Sequence, residues 1–134
     1  MVSINEELDI ADFLLIAEAI LEVDAKDLAQ MIQIPQAESA LTAPFASFGG
    51  IVFYENPVER AGIVCSRIVR NHPLPDGNKR VAYECMIEML FRAGIEWKPA
   101  AVAEDDAQMV EGLAAREISE PAFIDWLRVR VGPT

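Results

Sequence analysis

His72-Pro-Leu-Pro-Asp-Gly-Asn-Lys-Arg80 gathers the chain's one histidine, a carboxylate, an amide and two cations into nine residues. Helix-forming sequence flanks it: Ser-Arg-Ile-Val-Arg-Asn over 66–71 and Val-Ala-Tyr-Glu-Cys-Met-Ile-Glu-Met-Leu over 81–90. Prolines and a glycine between them break the helical pattern, which predicts two helices joined by a tight loop. Asn78, Lys79 and Arg80 then open the second helix, where free backbone N–H groups and the helix dipole favour an anion. Val58, Ala61, Val64, Cys65, Ile68 and Val69 recur at helical spacing before the loop, and Val81, Ala82, Cys85, Met89 and Leu90 after it, up to a stop at Gly94. These two helices are apolar enough to be central.

Outward from this pair the helical pattern continues. Ser3 and Glu6 have capping-box spacing, followed by an apolar stripe of Leu8, Phe13, Leu14, Ala17, Ile20 and Leu21 to about residue 22. Asp24 caps a second helix through Ile32, and Pro35 opens a third to about Thr42. Residues 44–55 change character, with Gly49-Gly50 before the β-prone run Ile51-Val52-Phe53-Tyr54. This predicts a short hairpin or flap over about 46–55, whose four aromatics, Phe45, Phe48, Phe53 and Tyr54, are expected to pack. Asn56-Pro57-Val58-Glu59 is a helix start, a further helix spans about Glu104–Ala115, and a last one begins at Ser119 with Pro121 early. The expectation is a compact all-α domain over 1–134 with one small β element.

Composition narrows the function. The chain has 134 residues, 52% hydrophobic and 25% charged, which suits one buried core. Asp and Glu number 22 against 11 Lys and Arg, a net charge of −11 that repels a phosphate backbone and argues against general nucleic-acid binding. A polyanion can bind only where cations are concentrated locally, as at residues 79–80. Cys65 and Cys85 lie inside helical patterns and read as buried free thiols of a reduced, cytoplasmic compartment. The start of the sequence lacks the pattern of a secretion signal, and no apolar run approaches the ~20 residues that span a bilayer. One histidine and two scattered cysteines supply no zinc-like ligand spacing. Trp97 and Trp126 read as packing residues.

The loop itself has a chemical reading. His72 is placed to take a proton from a hydroxyl, and Asp76 to hold Mg²⁺ through oxygen. Gly77 removes a side chain where a phosphate nears the backbone. Asn78 can orient phosphate or shape the loop. Lys79 offers a point charge and Arg80 a two-pronged donor. Phosphoryl or nucleotidyl transfer from a magnesium–nucleotide to a hydroxyl follows. The plain alternative also fits: a histidine ending a helix, an ordinary Asp-Gly-Asn turn and solvated cations.

The nine residues resemble the signature of the Fic/Doc superfamily, His-x-Phe-x-(Asp/Glu)-(Gly/Ala)-Asn-(Gly/Lys)-Arg. Glu38-Ser-Ala-Leu41, Phe53-Tyr-Glu-Asn-Pro57, Glu59-Arg-Ala61, Arg70-Asn-His72, Ile118-Ser and Asp125-Trp-Leu127 are similar to the short death-on-curing (Doc) branch. The resemblance covers about residues 36–130. It implies a Fic-like helical domain in which His72 is the catalytic base and Asp76 binds Mg²⁺. Gly77, Asn78, Lys79 and Arg80 hold ATP phosphates, and Gly49, Gly50, Ile51, Val52, Phe53 and Tyr54 form a flap on which targets dock by strand addition. Leu74 stands where the family usually has the Phe that anchors the loop, and Lys79 where adenylylating members have Gly. The lysine implies an inverted nucleotide that presents its γ-phosphate, hence a Doc-like toxin kinase acting on a protein hydroxyl, with elongation factor Tu as the implied target. The alternatives are a protein adenylyltransferase and a catalytically silent binding module, which Leu74 keeps open. Ser3 to Glu7 has the spacing of the family's inhibitory helix motif, but Leu8 replaces the closing Gly or Asn, so restraint by a separate Phd-like antitoxin is expected instead.

Overall fold

A computed structural model describes residues 6–98 and 103–131. Its elements run α1 (Ile10–Leu21), α2 (Ala25–Met31), α3 (Ile34–Thr42), a 3₁₀ turn (Ala43–Phe45), β1 (Ser47–Phe48), β2 (Ile51–Val52), α4 (Pro57–Asn71), α5 (Asn78–Arg92), α6 (Ala103–Ala114) and α7 (Glu120–Arg130). The architecture is all-α with a short antiparallel hairpin, as the periodicity predicts.

Side-chain caps set most helix starts. Asn56 Oδ1 accepts from the Val58 N–H at 2.7 Å, Asp24 Oδ1 from Lys26 at 2.8 Å and the Ser119 hydroxyl from Ala122 at 3.2 Å. The first helix departs from the sequence reading. It starts at Ile10, where Asp9 and Asp12 cap each other's backbone N–H at 2.8 and 3.0 Å. Asp9 with Asp12 satisfies the same reciprocal geometry that Ser3 and Glu6 suggested, with Asp in place of Glu. Ser3 lies outside the described residues, and Leu8 precedes the helix yet is buried. α2 ends at Met31, with Ile32 already in extended backbone as its C-cap.

α4 is the hub, packed against α3, α5, α6 and α7. Its Gly62 lets α7 approach closely: a Cβ there would stand 2.9 Å from Ile124 and 3.1 Å from Leu127. Ile63, Val64, Cys65 and Ile68 of α4 are buried, as are Val81, Cys85, Met86 and Leu90 of α5. Burial pushes both thiols' pKa values up, which keeps them protonated and inert.

The carboxyl-terminal elements are tied by a polar cluster that the sequence did not announce. Arg130 stands over both the Trp97 and Trp126 rings, 5.3 and 5.2 Å from their centroids, and donates to Asp106 at 2.7 Å. The Tyr83 hydroxyl donates to the other Asp106 oxygen at 2.7 Å and accepts from Trp97 Nε1 at 3.1 Å. Burial first, and then Asp106, pushes the Tyr83 phenol up to about 12. No helix among the described residues is long and apolar enough to cross a membrane.

Candidate active site

The turn between α4 and α5 is built from the inside. Leu74 is 1% exposed and belongs to the core, so the smaller side chain still anchors the loop. Pro73 is buried beside it, and its carbonyl accepts from the Gln33 N–H at 2.8 Å at the entrance of α3. Asn71 Nδ2 donates to Gln36 O at 3.1 Å, so α3 backs the loop over two residues. His72 ends α4 in left-handed backbone, φ 54°, a conformation that usually requires Gly or Asn at a helix end. Its ring is exposed.

Asn78 clamps the turn. Its Oδ1 accepts from the Leu74 N–H at 2.9 Å, while its Nδ2 donates to Leu74 O at 2.8 Å and lies 3.1 Å from His72 Nδ1. Of the two roles open to this residue, shaping the loop is the one its contacts fill. Gly77 takes φ 82°, and the side where a Cβ would stand is filled by Leu21 of α1, with an approach of 2.3 Å. The glycine thus meets a leucine on that side, so only its amide side is left for a ligand.

That amide side is open to an anion. α5 has no side-chain cap, and its first helical bond runs from the Val81 N–H to Gly77 O at 3.0 Å. The N–H groups of Asn78, Lys79 and Arg80 therefore carry the positive end of the helix dipole. Asp76 is exposed and makes no hydrogen bond or ion pair among the described residues. Both cations have internal partners: Lys79 Nζ lies 2.8 Å from Glu111 of α6, and Arg80 Nη2 donates to Ile20 O at 2.7 Å, at the carboxyl end of α1. A free carboxylate, uncapped amides and two exposed cations form a donor set that fits a magnesium–phosphate ligand.

The flap departs from the reading in its aromatics. Phe45 lies under the Arg60 guanidinium at 5.8 Å, and Tyr54 is half-buried, its carbonyl accepting from Arg60 at 3.0 Å. Phe48 and Phe53 instead stand 79% and 55% exposed, with Ile51 and Val52 beside them. Strands of two residues, turning on Gly49 and Gly50 at φ 58° and 80°, are too short to cover their own side chains. Among the described residues the strands pair only with each other, so their outer edges are bare.

A network missed from sequence secures α4 just before His72. Glu120 of α7 accepts from Ser66 at 2.6 Å and from Arg67 at 2.9 Å, with Arg70 at 3.5 Å; Arg67 also reaches the Tyr54 hydroxyl at 3.4 Å. No spacing rule links residues 66 and 120, so nothing in the sequence flagged it. Burial raises the Glu120 pKa, but the bonds from Arg67 and Ser66 outweigh it and hold the carboxyl below its ordinary 4.5. A depressed carboxylate stabilises the fold above its unfolded value and loses that contribution as pH falls through the folded one. Glu120→Gln is therefore expected to cost about 1–3 kcal/mol at neutral pH, a deficit that shrinks as pH falls below the carboxylate range. Denaturant titrations of both proteins at neutral and acid pH check this, and a deficit independent of pH contradicts it.

The Fic/DOC family model matches residues 7–90, from the segment before α1 to the last turn of α5. The chain belongs to the Fic/Doc family, whose members are typically transferases that act on proteins. No curated protein matches the chain.

Proposed function

We propose that this chain is a toxin of the Doc branch that moves the γ-phosphoryl group of Mg–ATP to a hydroxyl of a target protein. The observation that carries the reading is Lys79 at the second residue of α5, at the position that is Gly in AMP-transferring relatives. A side chain beside the uncapped amides takes the room an α-phosphate needs and leaves the γ-phosphate as the group presented. Bound nucleotide and magnesium supply the transferable group and its counter-charge. Asp76 holds the metal, the N–H groups of residues 78–80 with Lys79 and Arg80 bind phosphate oxygens, and His72 takes the hydroxyl proton.

The bare flap edges suit an extended segment of the target added as a strand, with Phe48, Ile51 and Phe53 as apolar contacts. Elongation factor Tu is the target the reading favours, and a Phd-like antitoxin, disordered until bound, is the restraint. The two buried thiols fit action in the cytoplasm. A silent binding module loses its main support, because Leu74 is buried and anchors the loop.

ATP labelled separately on its α- and γ-phosphates decides between kinase and adenylyltransferase. Label reaching a target from the γ position alone is the expected result. Label from the α position alone reverses the assignment.

A further inference from the structure

His72 Nδ1 faces the Asn78 amide at 3.1 Å. Which end of that amide faces the ring is fixed by Leu74. The Leu74 N–H can only donate and its carbonyl can only accept, and they meet Oδ1 at 2.9 Å and Nδ2 at 2.8 Å. Turning the amide over would set N–H against N–H and oxygen against oxygen at a residue that is 5% exposed. The atom facing the ring is therefore a donor. His72 Nδ1 must accept, so the one hydrogen of the neutral imidazole sits on Nε2.

We propose that Asn78 is a positioning residue that holds neutral His72 as its Nε2–H tautomer, so that the ring must leave Asn78 before it can accept a proton. The inference takes its meaning from the proposed transfer reaction. In that reaction the hydroxyl oxygen bonds to phosphorus, the bond from phosphorus to the bridging oxygen breaks, and the hydroxyl hydrogen passes to imidazole. Nε2 already carries a hydrogen and cannot receive it. Nδ1 can, but only once the Asn78 N–H has withdrawn. With hydrogen on both nitrogens the ring has only donors, and the contact with Nδ2 has no acceptor left. The resting site is thus held with its base turned inward, by the same amide that closes the loop around Leu74.

The chain has a single histidine, so long-range proton–nitrogen correlation spectra of the full chain report one ring. At mildly alkaline pH the wild-type ring is expected in one form, hydrogen on Nε2 and a bare Nδ1. Asn78→Asp is expected to move the hydrogen to Nδ1, because an oxygen replaces Nδ2. A wild-type ring averaging between tautomers, or carrying hydrogen on Nδ1, overturns the proposal. A folded Asn78→Asp protein whose ring is still in the wild-type form overturns it too, and if that variant does not fold the wild-type spectrum decides alone. The sample holds no nucleotide, so this result is separable from that of the labelled-ATP experiment.

Discussion

His72→Ala and Asp76→Ala are each expected to abolish γ-label transfer while leaving the fold in place. Loss of a general base alone removes about 10²–10⁴-fold in rate. Asp76 is exposed and makes no bond among the described residues, so its replacement belongs with surface changes of within about 0.5 kcal/mol. His72 already carries a Cβ in left-handed backbone, so alanine adds no new clash there and gives up only the contact with Asn78, about 0.5–1.5 kcal/mol, a loss the domain should tolerate. Circular dichroism, melting and label transfer, measured side by side, check the pair. Transfer, or growth arrest on expression, that persists in both variants would remove this loop from the chemistry and return the chain to the class of binding modules.

Leu74→Ala is expected to cost about 2–5 kcal/mol, the range for a buried leucine emptied to alanine. At 1% exposure its side chain is enclosed by the core, while its backbone N–H and carbonyl are the two groups Asn78 clamps. Core and site therefore fail together: the emptied volume loosens the turn that sets His72 and Asp76 relative to the start of α5. Leu74→Phe restores the family's usual residue but adds volume to a filled site, at about 1–3 kcal/mol. Urea denaturation measures both changes. A loss below about 1 kcal/mol in Leu74→Ala would mean the loop is held by Pro73 and Asn78 without its apolar anchor.

The parts legible in the sequence are those governed by local rules. Asp24 and Asn56 cap the helices they were expected to cap, the last helix begins just after Ser119 as expected, and Pro57, Pro35 and Pro121 sit in first turns. The two central helices and their loop followed from apolar periodicity interrupted by prolines. What escaped depends on residues far apart along the chain. Glu120 meets Ser66 and Arg67, Glu111 meets Lys79, Ile20 receives Arg80, and Leu21 fills the space beside Gly77. The Asp9–Asp12 box escaped for a different reason: Ser3-x-x-Glu6 has the commoner residue types, and pattern strength prevailed over position. Phe48 and Phe53 escaped because aromatic content predicts burial only where there is enough structure to bury against.

The contact of Leu21 and Ile20 with the motif turn bears on how this protein can be shortened. The nine-residue signature begins fifty residues downstream of α1, which invites a minimal version that starts at the flap or at α4. Such a version would lack one wall of the motif turn, exposing the flank of Gly77 to water and leaving Arg80 without the carbonyl that fixes its direction. Fusions and tags are better joined at a distance from the end of that first helix, whose last turn serves the motif loop as masonry.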